Sequence, residues 1–271
     1  MTIPTPSILT TLTRRKAGTI AQITISRPNK LNALNTPLLD SLPQSIKKVS
    51  TETTDLLAIV LTGAGPKSFI GGADIAEMAQ LNSPLAARHF ITKVHKACAS
   101  LRDAPVPVIG RINGFALGAG CEIAAACDLR VAGRNAVFGM PEVRVGIPSV
   151  VEAALLPNLI GWGRTRQLLL LGENIDADEA FRWGLVGKVV EQDALDEAVE
   201  GWLARLEKNG PLAVRRQKAL MRTWENVSLE QGIQAGVAAF EESFVAADGG
   251  ITEPARMMGA FFQGQVEKGG S

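Results

Sequence analysis

The chain has 271 residues with 28 Lys and Arg against 27 Asp and Glu, a formal net charge of +1. That length can bury a sizeable core, and one catalytic domain with a helical tail is the natural division. A near-neutral balance without a basic run argues against nucleic acid as a partner, and no apolar stretch reaches the length of a membrane span. The three cysteines, Cys98, Cys121 and Cys127, sit among small apolar residues and suit a reducing compartment. His89 and His95 share one predicted helix but lack the i, i+4 spacing of a metal pair. No tyrosine is present, so no mechanism can use one as acid or oxyanion donor. The N-terminal residues 1–7 show no charged segment before an apolar core, and the last five residues do not spell a peroxisomal address. A soluble, intracellular, cytoplasmic protein is expected.

In chain order, residues 9–13 and 19–26 read as a β-hairpin around Ala17-Gly18. Thr36-Pro37 reads as a cap followed by proline, opening a helix to about residue 50. Residues 56–62 form a strand that is apolar throughout, so both faces should be covered. A loop then leads through Gly71 and Gly72 to a helix with Asp74 in its first turn. A helix over 84–100 and a strand over 106–112 come next. The strand runs into Asn113-Gly114-Phe115-Ala116-Leu117-Gly118-Ala119-Gly120-Cys121-Glu122, which opens a small-residue helix over 121–126.

This last turn is the most informative segment. A glycine-rich turn before a helix aims free N–H groups at a pocket, and the helix dipole adds positive potential. The glycine spacing is not that of a dinucleotide-binding or phosphate-binding loop. Gly71 to Asp74 makes a second strand–glycine–helix corner, so the chain offers two corners, each able to supply an N–H, that can converge on one oxygen. Two carboxylates accompany them, Glu122 in the first helical turn and Glu142 in Phe138-Gly139-Met140-Pro141-Glu142. An anion receptor beside two carboxylates points to acid–base chemistry on a polarised carbonyl, with burial raising both pKa values.

Short strands are expected at 129–132 and 136–138, helices at 149–160, 162–171 and 176–183, and a last strand at 185–190. Ser149 and Glu152, three apart before an apolar run, read as a capping box. Helices at 194–208, 211–224, 228–246 and 253–262 complete the chain.

Four segments, Arg27-Pro28-Asn29-Lys30-Leu31-Asn32-Ala33-Leu34, 71–78, 113–129 and 138–147, stand in the order of one family. The chain resembles the enoyl-CoA hydratase/isomerase, or crotonase, superfamily, over most of its length to about Gly210. The resemblance implies an α/β fold, a crotonase-like spiral of ββα units over residues 1–205, followed by a C-terminal helical trimerisation region over 206–271. It implies a hydratase that adds water to a trans-2-enoyl-CoA through an enolate, with Ala73 and Ala119 as oxyanion donors. Glu142 is then the acid for the α-carbon, and Glu122 holds and activates water. Retention of both carboxylates favours hydration over the double-bond migration of the superfamily's isomerases and leaves hydratase/lyases of the same superfamily open as the alternative; a non-catalytic scaffold of the same fold is the alternative from another class. Coenzyme A enters as part of the acyl-CoA substrate, with no permanently bound cofactor. Lys30, Ala33, Leu34, Gly72, Ala73, Asp74 and Ile75 are implied in holding it, and Gly118, Pro141, Ser149, Val150 and Glu152 in lining the acyl pocket. A homotrimer or a dimer of trimers is implied as well. The family's glycine-rich loop after the second acid is replaced here by Pro148-Ser149-Val150-Val151-Glu152, so the acyl pocket is less securely inherited than the chemistry.

Overall fold

The computed structural model describes residues 7–246 and 250–269, with side chains as far as residue 262. The readings of the extreme termini fall largely outside these residues. The chain opens with the antiparallel pair β1 (Ser7–Arg14) and β2 (Thr19–Ser26). Helix α1 (Thr36–Glu52) follows, capped by Asn35, whose side chain accepts from the Leu38 N–H. Thr36 is therefore the first helical residue and not the cap expected for it, because Asn35 already supplies the acceptor with extended backbone.

Next come β3 (Leu56–Gly63), β4 (Ser68–Ile70), the single turn α2 (Ile75–Met78) and the long α3 (Pro84–Arg102). Strands β5 (Val108–Ile112) and β6 (Phe115–Leu117) lead into α4 (Ala119–Ala126). Strands β7 (Leu129–Gly133) and β8 (Val137–Gly139) precede two short 3₁₀ helices, Pro141–Val145 and Val151–Leu155. Helix α5 (Leu156–Leu171), broken at Gly161 where φ is +73°, takes in the helix expected over 162–171 but only the second half of the one expected over 149–160, whose first half is the 3₁₀ turn and an extended segment. Strand β9 (Asn174–Asp176), α6 (Ala177–Trp183), β10 (Lys188–Val190) and α7 (Leu195–Leu206) follow. The chain ends in α8 (Pro211–Trp224), α9 (Leu229–Ser243) and α10 (Glu253–Gly269).

Two sheets organise these elements. One has the order β1-β2-β3-β5-β7-β10 and the other β4-β6-β8-β9. Each of the pairs β3–β4, β5–β6 and β7–β8 therefore gives one strand to each sheet and then turns into helix. That is the spiral of ββα units implied by the family resemblance. All eight residues of β3 are buried, as a strand covered on both faces requires. Its neighbours β2 and β5 pair with it in parallel.

Compact unit boundaries fall at Met1–Leu203 and Ala204–Ser271. In the second, α8 and α9 are joined by the capping box of Ser228 and Gln231 and by Trp224, whose indole donates to Gly232 O at 2.9 Å. Among the described residues no helix is long and apolar enough to cross a membrane.

Candidate active site

Two buried asparagines tie the loops that form the corners. Asn113 Nδ2 donates to Gly63 O at 2.9 Å and to Gly65 O at 2.6 Å, and its Oδ1 accepts from Gly63 N at 3.2 Å. Asn32 Nδ2 donates to Ala64 O and Ser68 O at 3.0 and 2.8 Å. These bonds satisfy backbone groups that regular secondary structure leaves unpaired. The early Arg27–Leu34 segment thus fixes the loop before β4.

The first corner follows β4. Leu34 donates its N–H to Gly72 O at 2.8 Å and accepts from Asp74 N at 2.9 Å. In such a parallel bridge the residue between, Ala73, directs its own N–H away from Leu34. Gly72 has φ of +117°, and a Cβ there would lie 3.2 Å from Leu117 O, so the corner passes tightly against β6. Asp74 caps α2 and pairs with Arg27 Nη1 at 2.6 Å. Burial alone would push its pKa up, but the Arg27 guanidinium and the Ala76 and Glu77 amides hold its carboxyl below the ordinary value.

Gly118 makes the second corner, with φ of +51°, and opens α4. Ala119 is the first helical residue, so the helix ladder leaves its N–H unused. The expected helix over 121–126 begins two residues earlier for the same reason. Every residue of α4 is buried, Glu122 included. An acid in a first turn is ordinarily favoured as the anion. Here burial wins: desolvation first, then the charge of Glu142, raises the Glu122 pKa to about 8, opposed by the Ala153 N–H that reaches Oε1 at 3.2 Å.

Glu142 lies in the 3₁₀ turn after β8 and is only half-buried, so the burial expected for both acids is found fully at Glu122 alone. Its Oε1 sits where a Cβ on Gly118 would come within 2.7 Å, which only glycine permits. Ser149 Oγ donates to its Oε2 at 2.8 Å.

Ala73, Ala119, Glu122 and Glu142 line one cavity of about 370 Å³, together with Gly72, Ile75, Gly118, Pro141 and Val150. The rest of the wall, not foreseen from sequence, is mainly apolar: Met78, Phe90, Ile91 and Val94 on one side, Val145 and Ile147 on another. The α3 residues carry a helical apolar spacing that core packing explains equally well, which hid their role. Lys30, Ala33, Leu34 and Asp74 are not in this wall; Lys30 is exposed and Leu34 fully buried.

Two expectations for the 148–152 segment need correction. Ser149 and Glu152 form no capping box. The 3₁₀ helix Val151–Leu155 starts after Val150 without a side-chain cap, and the Ser149 hydroxyl is engaged by Glu142. Nor do Ser149 and Glu152 line the cavity. Glu152 instead points into the protein, 3 % exposed, with its Oε1 2.9 Å from His95 Nδ1. The preceding Val151 has φ of +40°, a left-handed conformation that costs a β-branched residue on the order of 1–3 kcal/mol.

A deep cavity with two convergent corners and paired carboxyls defines an acid–base enzyme acting on a polarised carbonyl. Residues 15–254 match the family model described as enoyl-CoA hydratase/isomerase. The chain is 40% identical over 234 residues to the short-chain-enoyl-CoA hydratase of Clostridium acetobutylicum, covering 86% of this chain and 89% of that one. It is 39% identical over 234 residues to the crotonyl-CoA hydratase of Syntrophomonas wolfei, with the same coverage of 86% and 89%. The crystal structure of an enoyl-CoA hydratase from Bacillus anthracis superposes with a TM-score of 0.81 at 32% identity, covering 88% of this chain and 92% of that one. The chain belongs to the enoyl-CoA hydratase/isomerase family. Its activity is that of a hydro-lyase of the enoyl-CoA hydratase kind.

Proposed function

We propose that this chain hydrates trans-2-enoyl-CoA thioesters reversibly to 3-hydroxyacyl-CoA, with Ala73, Ala119, Glu122 and Glu142 as the working groups. The observation that carries this reading is the meeting of both corners and both acids in one cavity. The thioester oxygen accepts from the Ala73 and Ala119 amides, which stabilise the charge that grows as an enolate forms. Glu122 holds a water and removes its proton as the oxygen attacks C3. Glu142 delivers a proton to C2. A proton passing from Glu122 to Glu142 then restores the starting state, and the product keeps both parts of the water.

The acyl group occupies the apolar wall of Met78, Phe90, Ile91, Val94 and Val150, which accepts hydrocarbon without polar demands. Ala33, Gly72, Ala73 and Ile75 receive the pantetheine and adenine of coenzyme A on a corner that Leu34 and Asp74 brace through their backbone bond, and the exposed Lys30 meets its phosphates. The Asp74 carboxylate is engaged by Arg27 and its N–H by Leu34 O, so its contribution is to hold the corner in shape. Neither this chemistry nor its groups call for a metal.

The C-terminal helices serve as a trimerisation element, giving a homotrimer or a dimer of trimers. The exposed stripe Leu229, Ile233, Val237 and Phe240 on α9 supports this assignment. Three buried, unbridged cysteines support a reducing, cytoplasmic setting.

Incubation with a panel of 2-enoyl-CoA thioesters, read by mass spectrometry, tests the proposal. Gain of one water by the wild type, lost in Glu122→Gln and Glu142→Gln, is the expected result. Isomerisation of a 3-enoyl-CoA that survives Glu122→Gln, without hydration, would overturn it in favour of an isomerase.

A further inference from the structure

The strained turn beside Glu122 has a clamp. Val151 holds φ of +40°, and its successor Glu152 is 3 % exposed. A left-handed valine persists only when its surroundings over-determine it. Those surroundings come from one face of α3, where His95, Cys98 and Arg102 recur at i, i+3 and i+7. His95 Nδ1 lies 2.9 Å and Arg102 Nη1 3.8 Å from Glu152 Oε1. The carboxylate's Oε2 has no nitrogen or hydroxyl donor, and the buried Cys98 thiol completes the set of groups that hold Glu152. The next residue, Ala153, donates its N–H to Glu122 Oε1 at 3.2 Å.

We propose that Glu152 is a positioning residue for hydration: clamped by His95 and Arg102, it holds the 151–155 turn so that the Ala153 N–H orients Glu122. The inference rests on the reading of Glu122 as the water-activating group. It gives the Pro148–Glu152 departure from the family's glycine loop a purpose. Without glycine, the turn is held by a buried carboxylate and gains a rigid hold on Glu122, the water-activating group.

The charges facing Glu122 are Glu142 from the turn after β8 and Glu152 from this turn. Those facing Glu152 are His95 and Arg102 from α3 and Glu122 from α4, with the buried thiol of Cys98 alongside. Glu152→Gln keeps an acceptor for His95 and removes a like charge near Glu122. Its acid limb of kcat/KM should move to lower pH while most of kcat remains. Glu152→Ala removes the clamp, and kcat should fall roughly 10- to 100-fold with KM changed far less. Val151→Gly relieves the left-handed strain, so Val151→Gly/Glu152→Ala should recover part of the lost kcat.

Steady-state kinetics on crotonyl-CoA from pH 5 to 10, with circular dichroism to show folding, would read all three. Folded Glu152→Ala with wild-type kcat and pH profile would overturn the proposal. So would a kcat loss that Val151→Gly leaves untouched, which would make Glu152 a direct participant. Glu122→Gln run in parallel separates the two levels. If it hydrates normally, the reading of Glu122 has failed; if it is inactive while Glu152 variants behave as wild type, only the clamp has failed.

Discussion

Gly118 and Glu142 meet where no side chain can come between them. Gly118→Ala would set a Cβ within 2.7 Å of Glu142 Oε1 at a backbone φ of +51°. Either the carboxyl swings away or the corner relaxes, and both disturb the reacting geometry; we expect kcat to drop at least about 10-fold. The bond from Ser149 to Glu142 offers a milder probe, since Ser149→Ala leaves the carboxyl in place but loosened. Glu122 makes a prediction about stability. It titrates near 8 in the folded chain, above the ordinary 4.5, so between those values folding retains a proton that the unfolded chain has released. Stability from this group is therefore complete below about 4.5 and is lost as pH rises through 8. Neutral at every pH, Glu122→Gln should escape that loss, worth roughly 5 kcal/mol when fully developed. Thermal melts of both proteins at pH 5, 7 and 9 should show the wild type falling further behind as pH rises; parallel curves would contradict the burial of a titrating Glu122.

At the level of elements, α4 allows its donor to be removed cleanly. Proline is accepted at the first position of a helix, where its missing N–H breaks no ladder bond. Ala119→Pro should therefore keep α4 while deleting one oxyanion donor, lowering kcat by about 10²–10³. Crotonyl-CoA hydration by this variant, with its melting temperature as control, checks the point. The same elements show what the sequence made legible. Both glycine corners were readable because a helix start after a strand leaves a spacing of glycines and a first-turn acid that few other structures need. Long helices such as α8 were readable from apolar period. Strands β4, β6 and β9 were not: each has three residues, and β4 and β6 adjoin the glycine corners, whose turn signals mask so short an alternation. Ser149 and Glu152 carry a local pattern that favours a cap, but partners outside that four-residue pattern claimed both side chains, Glu142 seven residues back and His95 far away on α3. Such pairings lie outside any local window, as does the α3 wall of the cavity, whose residues look like ordinary core.

For the whole molecule, the exposed stripe on α9 sets an expectation for assembly. Sedimentation should give three or six times the 28.7 kDa chain mass, and Phe240→Asp with Val237→Asp should lower it. A further consequence follows from α4 being buried along its whole length, open only where Ala119 and Glu122 meet the cavity. Helices of globular proteins usually keep one wet side from which they fray and exchange amide protons. This one cannot, so its amides should be among the last to exchange deuterium, opening only when the surrounding core opens. Glu122, the proposed water-activating group, would thus be mounted on the slowest-exchanging part of the chain. Heat should silence the enzyme only as that core melts, with no earlier temperature range in which a folded but inactive protein accumulates.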